Sequence, residues 1–262
     1  MCGIAGFSLS SDTKLDRTVA ARALLAGIAE RGADAVGFAY RTTTPEVVLH
    51  KQRSGASALV DRILVPPDTS QLLAHVRDYT KGHPSLDANN HPIRHGTVVG
   101  VHNGTIVNDD ELFARYAIGR AAAEMTVDSE IIFALAQRSR GKTARALQQL
   151  VGSMATAWLD EARPELIVAR GMGRPLWIGT GDDAFFFAST KHALELVERY
   201  TFTKLRKREL ALGRVIAVDA GSIVARNSFR PDMSFQEEPL PAVRAPQERE
   251  ATLARLAAMY AA

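Results

Sequence analysis

Short runs of apolar residues alternate with stretches of helical periodicity along most of the 262-residue chain. Ile4 to Leu9 reads as a strand, and Arg17 to Glu30 carries apolar residues at helical spacing. Ala35 to Tyr40 and Val47 to His50 predict two further strands around the polar, proline-containing turn Thr42 to Pro45. Leu72 to Val76 and Thr97 to His102 predict strands on either side of a long loop rich in Gly, Pro, Asn and His. Loops of that length inside a compact domain more often serve function than not. Helical patterns follow at Asp109 to Tyr116, Ser129 to Arg138 and Thr143 to Val151. Strands return at Met154 to Leu159, Leu166 to Ala169, Leu176 to Ile178 and Ala184 to Ala188. A helix over Lys191 to Arg199 and strands at Arg214 to Val218 and Ser222 to Ala225 complete the set. Hairpin-linked strands with separately grouped helices imply α+β architecture with largely antiparallel sheets. The expected organisation is a domain over residues 2–230, a linker over 231–246 with four prolines and no periodicity, and a C-terminal helix over 247–262. Leu253, Leu256 and Met259 fall on one face of that helix, which would be marginal alone and is expected to dock on the domain or a partner.

Composition adds limits. With 46% hydrophobic and 23% charged residues the chain is an ordinary globular protein, and its length can bury a substantial core. The net charge of +3 is interspersed apart from a short basic run at Lys204, Arg206, Lys207 and Arg208, which suits a solvated surface better than nucleic acid. No stretch reaches the roughly 18 apolar residues that span a bilayer, and no export signal precedes the domain. The expectation is therefore a cytoplasmic protein without nucleic-acid or membrane partners. A single cysteine, Cys2, excludes an internal disulfide. Five of the seven histidines fall between His75 and His102, but no Cys or carboxylate cluster completes a zinc set, and Pro92 separates His91 from His95. Neither a phosphate loop nor a Gly-x-Ser-x-Gly elbow is present. No metal and no cofactor are expected.

Met1-Cys2-Gly3 has a chemical consequence of its own. Methionine is trimmed when a small residue follows, which would leave Cys2 with a thiol and a free α-amine. Such an amine, with a pKa of about 7.7–8.0, is partly neutral near pH 7 and can act as a general base. Cysteine activated by its own terminal amine is an established form of nucleophilic catalysis, and Gly3 lets the backbone pack closely beside it. Taken alone, a cysteine here is more often a small buried thiol.

Four further segments change that balance. Cys2-Gly3-Ile4-Ala5-Gly6-Phe7 resembles the start of a class II glutamine amidotransferase domain, a branch of the N-terminal-nucleophile hydrolases. Arg31-Gly32-Ala33-Asp34-Ala35-Val36-Gly37 is similar to that family's Arg-Gly-x-Asp-x-x-Gly turn. Ala74 to Ser85, followed by Asn90-His91-Pro92, resembles its substrate loop, and Val101 to Asn108 its His-Asn-Gly-x-Ile-x-Asn block. Asp128-Ser129-Glu130 is similar to its Asp-[Ser/Thr]-Glu at a helix start. Together the five blocks span about residues 2 to 226 in the family's order.

The resemblance implies an αββα sandwich, two antiparallel sheets between helical layers, and it implies roles. Cys2 would attack the side-chain amide of glutamine, release ammonia and form a γ-glutamyl thioester. Asn103 and the backbone N–H of Gly104 would hold the oxyanion, where one donor is typically worth about 2.7–4 kcal/mol. Arg77 would clamp the substrate α-carboxylate with help from Thr80, and Asp128 would pair with the α-ammonium. Arg31 and Asp34 would support the turn beside the site. Each residue also has a plainer reading: Arg77 as a surface ion-pair residue, Asp128 as an N-cap, Asn103-Gly104 as a hairpin turn. The chain departs from relatives that carry Trp after the arginine and His after the threonine; here those positions are Asp78 and Lys81. Asp78 is expected to weaken the grip of Arg77 on a carboxylate, and Lys81 to compensate in part. Three readings stay open: a glutaminase subunit passing ammonia to a separate synthase subunit, a γ-glutamyl amidohydrolase acting on another metabolite, and a non-catalytic regulatory subunit.

Overall fold

The computed structural model describes residues 2–237 and 241–261. Its first strand, β1 (Gly3–Leu9), is buried along all seven residues. Its apolar side chains divide by parity: Ala5, Phe7 and Leu9 face a helical layer, and Ile4 faces a second sheet. Burial on both faces is what a continuous apolar run encodes. The same division recurs in β10 (Ala184–Ala188), where Phe186 faces helices and Phe185 and Phe187 face the other sheet.

The first sheet is completed by β2 (Ala35–Arg41), β3 (Val47–Gln52), β4 (Gln71–Arg77), β9 (Trp177–Thr180) and β11 (Arg206–Glu209), in the order β11-β9-β10-β1-β4-β2-β3. The second holds β5 (Ile93–His95), β6 (Val98–Ile106), β7 (Gly152–Asp160), β8 (Leu166–Arg170), β12 (Arg214–Asp219) and β13 (Ser222–Ser228), in the order β13-β12-β8-β7-β6-β5. Every pairing between these strands is antiparallel. Helices α1 (Arg17–Ile28), α5 (Lys191–Thr201) and α6 (Pro246–Met259) cover the first sheet, and α2 (Asp109–Tyr116), α3 (Glu130–Ser139) and α4 (Thr143–Leu147) the second. Three apolar seams thus separate four layers, helix–sheet–sheet–helix, as the α+β reading and the αββα resemblance require.

The expected elements are present with altered ends. Asp16 caps α1 through Val19 N–H at 3.0 Å, and Thr190 caps α5 through Ala193 N–H at 3.2 Å. Two strands were not foreseen. β5 has only three residues and follows Pro92, too short to show alternation. β11 is formed by the basic run itself, an edge strand whose charges discourage a further strand from adding; Glu198 takes up Lys207, and Arg170 pairs with Glu209 at 3.0 Å. The hairpin-turn reading of Asn103-Gly104 is overturned: both lie inside β6, opposite Ala155 and Met154 of β7.

The C-terminal helix docks on this domain. Leu256 is fully buried against α1, with Leu253, Met259 and Tyr260 packed around it, and Tyr260 Oη accepts from Arg22 at 3.0 Å. Within the stretch expected to be a linker, Arg244 and Ala245 both donate backbone N–H groups to Glu30 O, at 2.8 and 2.9 Å. Residues 238–240 of that stretch, and Ala262 at the expected end of the helix, lie outside the described residues. Among the described residues no helix is long and apolar enough to cross a membrane.

Candidate active site

Strand register gathers the site at one end of the first sheet. β1 and β4 pair with Gly3 opposite Val76, and β4 and β2 with Arg77 opposite Ala35, so the start of β1, the end of β4 and the turn before β2 converge. A Cβ on Gly3 would sit 2.9 Å from Val76 and 3.0 Å from Ile28, so only glycine lets β1 start this close to α1. On Gly32 it would lie 2.3 Å from the Arg77 backbone. Arg31, itself buried, donates from Nε to Cys2 O at 3.0 Å. Asp34 closes the turn twice, its N–H donating to Arg77 O at 2.9 Å and its carboxylate accepting from Tyr79 N–H at 2.9 Å. Gly3, Arg31 and Asp34 thus hold the backbone where β1 begins and β4 ends.

Cys2 is half-buried, and its Sγ donates to Asp78 O at 3.4 Å. Burial pushes the thiol up from its ordinary value, while the nearby charges of Arg77 and Arg174 draw it down. A thiol kept protonated in the resting state needs a base to become a nucleophile. Met1 lies outside the described residues.

The second sheet brings β6 against this edge. His75 of β4 donates from Nε2 to His102 O at 3.1 Å, a direct tie between the sheets. His102 in turn bonds Ser129 Oγ at 2.8 Å through Nδ1 and Ser153 O at 3.2 Å through Nε2. Only Nε2–H can satisfy a carbonyl, so Nδ1 accepts from the serine. Burial holds His75 and His102 down to about 3, and His91, stacked on His75 at 4.2 Å, also well below its ordinary value. These histidines are neutral framework rather than acids. Between His102 and Gly104, the side chain of Asn103 is fully buried, and neither its Nδ2 nor its Oδ1 has a partner. Gly104 has φ +148°, and a Cβ there would fall 1.9 Å from Ser153 O, so the position admits only glycine.

Arg77 is 2% exposed, which removes the surface ion-pair reading. Its Nη1 donates to Asn90 Oδ1 at 2.5 Å and its Nη2 to Lys81 O at 3.0 Å and to Gly82 O. Those bonds organise the loop and take up part of a five-donor fork. Asp128 does not cap a helix with its side chain; its carboxylate accepts from Ile106 N–H at 2.6 Å, and Ser129 precedes α3. Burial pushes Asp128 up to about 6, against the opposing pull of that N–H. Thr80 stays exposed on the loop. The expectations for Asp78 and Lys81 are both corrected. Asp78 directs its carboxylate to Arg244 Nε at 2.9 Å, and Lys81 places its ammonium on Asp109, at 2.7 and 2.8 Å, and on Asp110 at 3.1 Å.

Sequence reading passed over Arg174, which is 6% exposed, acts electrostatically on Cys2, and is paired with Glu237 at 2.6 Å. It also passed over Asp109. Isolated charged residues carry no local signal of what they will meet. Among the described residues no group of three or more His, Cys, Asp and Glu could hold a metal ion.

Two antiparallel sheets between helical layers, with a cysteine leading a central strand, define an N-terminal-nucleophile-hydrolase-like architecture. The structure of glutamine phosphoribosylpyrophosphate amidotransferase from B. subtilis matches it with a TM-score of 0.69 at 20% identity, covering 87% of this chain and 49% of that one. Residues 81–196 match the family model described as a glutamine amidotransferase domain, a range that includes Asn103, Gly104 and Asp128 but begins beyond Cys2 and Arg77. Glutamine–fructose-6-phosphate aminotransferase of Haemophilus influenzae is 31% identical over 76% of this chain and 33% of its own length. The enzyme of the same name from Shouchella clausii is 26% identical over 90% of this chain and 40% of its own length. The chain carries a class II glutamine amidotransferase domain, and it spans between a third and two-fifths of the length of these relatives.

Proposed function

We propose that this chain hydrolyses the side-chain amide of glutamine and delivers the ammonia to a separate synthase. Loss of Met1 frees the α-amine of Cys2, which takes the thiol proton as Sγ attacks the amide carbon. The oxyanion forms against Asn103 Nδ2 and the Gly104 N–H. The proton passes from the amine to the departing nitrogen, the C–N bond breaks, and ammonia leaves a γ-glutamyl thioester. Water, deprotonated by the same amine, attacks that thioester, and glutamate departs as the thiol recovers its proton. Arg77, assisted by Thr80, holds the α-carboxylate, and Asp128 holds the α-ammonium. The acceptor would be a separate synthase subunit.

One observation carries this reading. Asn103 is fully buried with both polar ends unpaired, in a β6 position fixed by backbone pairing. An unsatisfied buried polar group costs about 1–3 kcal/mol, a cost explained if a ligand completes it during turnover. Asp78 pairs with Arg244 and Lys81 with Asp109, so neither residue supports another γ-glutamyl amide over glutamine. The test is ammonia release from glutamine by purified protein whose mass matches a chain starting at Cys2. Cys2→Ala should lose turnover and labelling by a glutamine-like diazo-ketone. A retained methionine in fully active protein would refute the amine as base, and faster release on adding a candidate synthase would identify the acceptor.

A further inference from the structure

The pocket inferred for an α-amino acid has two charged ends on separate segments. Arg77 ends β4 and Thr80 lies on the loop that follows it, and Asp128 belongs to the segment between α2 and α3. Recognition of both α-groups depends on the spacing between these segments, which backbone pairing within one sheet does not set. A buried carboxylate joins them. Asp109, the first residue of α2, is 1% exposed. It receives Lys81 Nζ on both oxygens, at 2.7 and 2.8 Å, and Arg120 Nη2 at 3.1 Å.

Each cation is tied by its own segment to one end of the pocket. Lys81 O accepts from Arg77 Nη2 at 3.0 Å, so the residue gripping Asp109 also shapes the arginine's position. Arg120 Nη1 donates to Val127 O at 2.8 Å, next to Asp128, and its guanidinium lies 4.1 Å from the centre of the Phe113 ring. Asp110 bridges the same two cations, at 3.1 Å to Lys81 and 2.8 Å to Arg120, but it is largely exposed. A neutral tie runs in parallel, with Asn89 Oδ1 accepting from Thr126 and Val127 N–H at 2.9 and 3.1 Å. Buried charge paired at these distances is costly to break and so holds geometry firmly, whereas the exposed pair adds little.

We propose that Asp109 is a positioning residue for amino-acid recognition: by gripping Lys81 and Arg120 it fixes the spacing between the α-carboxylate clamp and the α-ammonium partner. The proposal rests on the glutamine reading of the pocket and adds to it the element that sets its span. Asp109 touches no substrate and acts through its two cations. Lys81, which looked like an auxiliary carboxylate ligand, is instead part of the frame.

The experiment compares wild type, Asp109→Asn, Lys81→Met and Lys81→Arg, using glutamine, glutaramic acid (no α-ammonium) and 4-aminobutanamide (no α-carboxylate). Binding is measured by calorimetry in a Cys2→Ala background and turnover in chains retaining Cys2. Lys81→Met should raise KM for glutamine about tenfold with kcat within about twofold, and Asp109→Asn should raise it further. Both should narrow the preference for glutamine over the two truncated amides, and Lys81→Arg should restore it. Lys81 is partly exposed, so its variants report even if Asp109→Asn fails to fold. Wild-type binding of glutamine that Lys81→Met leaves unchanged would overturn this proposal alone. Wild type that binds neither glutamine nor the truncated amides would overturn the glutamine reading and this proposal with it. Loss of kcat at unchanged KM would assign the network to catalysis or stability instead.

Discussion

Asn103 and Arg77 are both buried, yet Asn103 leaves its side-chain amide unpaired while Arg77 spends three hydrogen bonds on the loop around it. The difference follows from where each residue sits. Asn103 lies in the middle of β6, whose pairing with β7 runs from Val98 to Ile106 and fixes its position without help from the side chain. Its amide can be left for a ligand. Arg77 is the last residue of β4, where the ladder ends and an irregular loop begins. No regular pairing holds that loop, so side chains must: Arg77 to Asn90, Asp34 to Tyr79, Asp78 to Arg244, and Lys81 to Asp109. A sheet can hold a reactive group by its backbone alone, whereas a loop that recognises charge must be built from charge.

The largest effect should come from the strand-held side. Asn103→Ala should lower kcat by about 10²–10³ with KM little changed, as loss of one oxyanion donor does. Because the amide has no partner in the resting protein, the thermal midpoint should hold or rise slightly. A clear loss of stability with intact kcat would show the side chain to be structural and erase the contrast with Arg77.

Asp128 should show the opposite balance. Its carboxyl, pushed up to about 6 by burial, has a folded pKa above its unfolded value. Proton uptake therefore favours the fold fully below about pH 4, and that contribution, about 3 kcal/mol, is lost as pH rises through 6. Asp128→Asn, which keeps an acceptor for Ile106 N–H, should lack this loss and gain stability relative to wild type at pH 8. It should also raise KM for glutamine at least tenfold. In wild type, KM should rise as pH falls below about 6, because a protonated carboxyl no longer pairs with an ammonium. Urea titrations at pH 5 and 8, with KM measured across the same range, check both halves. A pH-independent KM would remove Asp128 from substrate binding.

The smallest effect should come from the outer edge of the loop. The Arg244–Asp78 pair is partly open to solvent, with side chains 39% and 22% exposed, so Arg244→Ala should cost less than about 1 kcal/mol. KM should change less than about threefold, since Asp34 and Lys81 still hold the loop. A larger rise in KM would mean that Asp78, freed from Arg244, turns on Arg77 as the sequence alone suggested.

How far the site could be read in the sequence depended on how local its signal was. Cys2-Gly3, Arg31 to Asp34 and Asp128-Ser129 occur in short blocks whose residues act together, and the structure brings those blocks to one edge. Asn103-Gly104 was ambiguous in isolation, because the dipeptide that suits a hairpin turn also suits a strand position where Gly104 meets Ser153 O with no room for a Cβ. The flanking charges misled. Lys81 looked like a neighbour for Arg77's ligand, but its partner is Asp109, 28 positions on, and Asp78 finds Arg244, 166 positions on. The basic run from Arg206 carried no apolar alternation because an edge strand buries little, so nothing marked it as β11.

By itself the sequence determined the α+β class, through hairpin-linked apolar strands and separately grouped helices, with the four layers implied by its resemblance to class II glutamine amidotransferases. It also determined the nucleophile candidate, through Cys2 behind a removable methionine. Backbone geometry and burial depend on residues close in the chain, so their imprint is local. Only the tertiary structure decided which charges meet. An ion pair needs two groups within about 4 Å in space, and nothing in the identity of Lys81 or Asp78 encodes which distant carboxylate or guanidinium the fold will bring there.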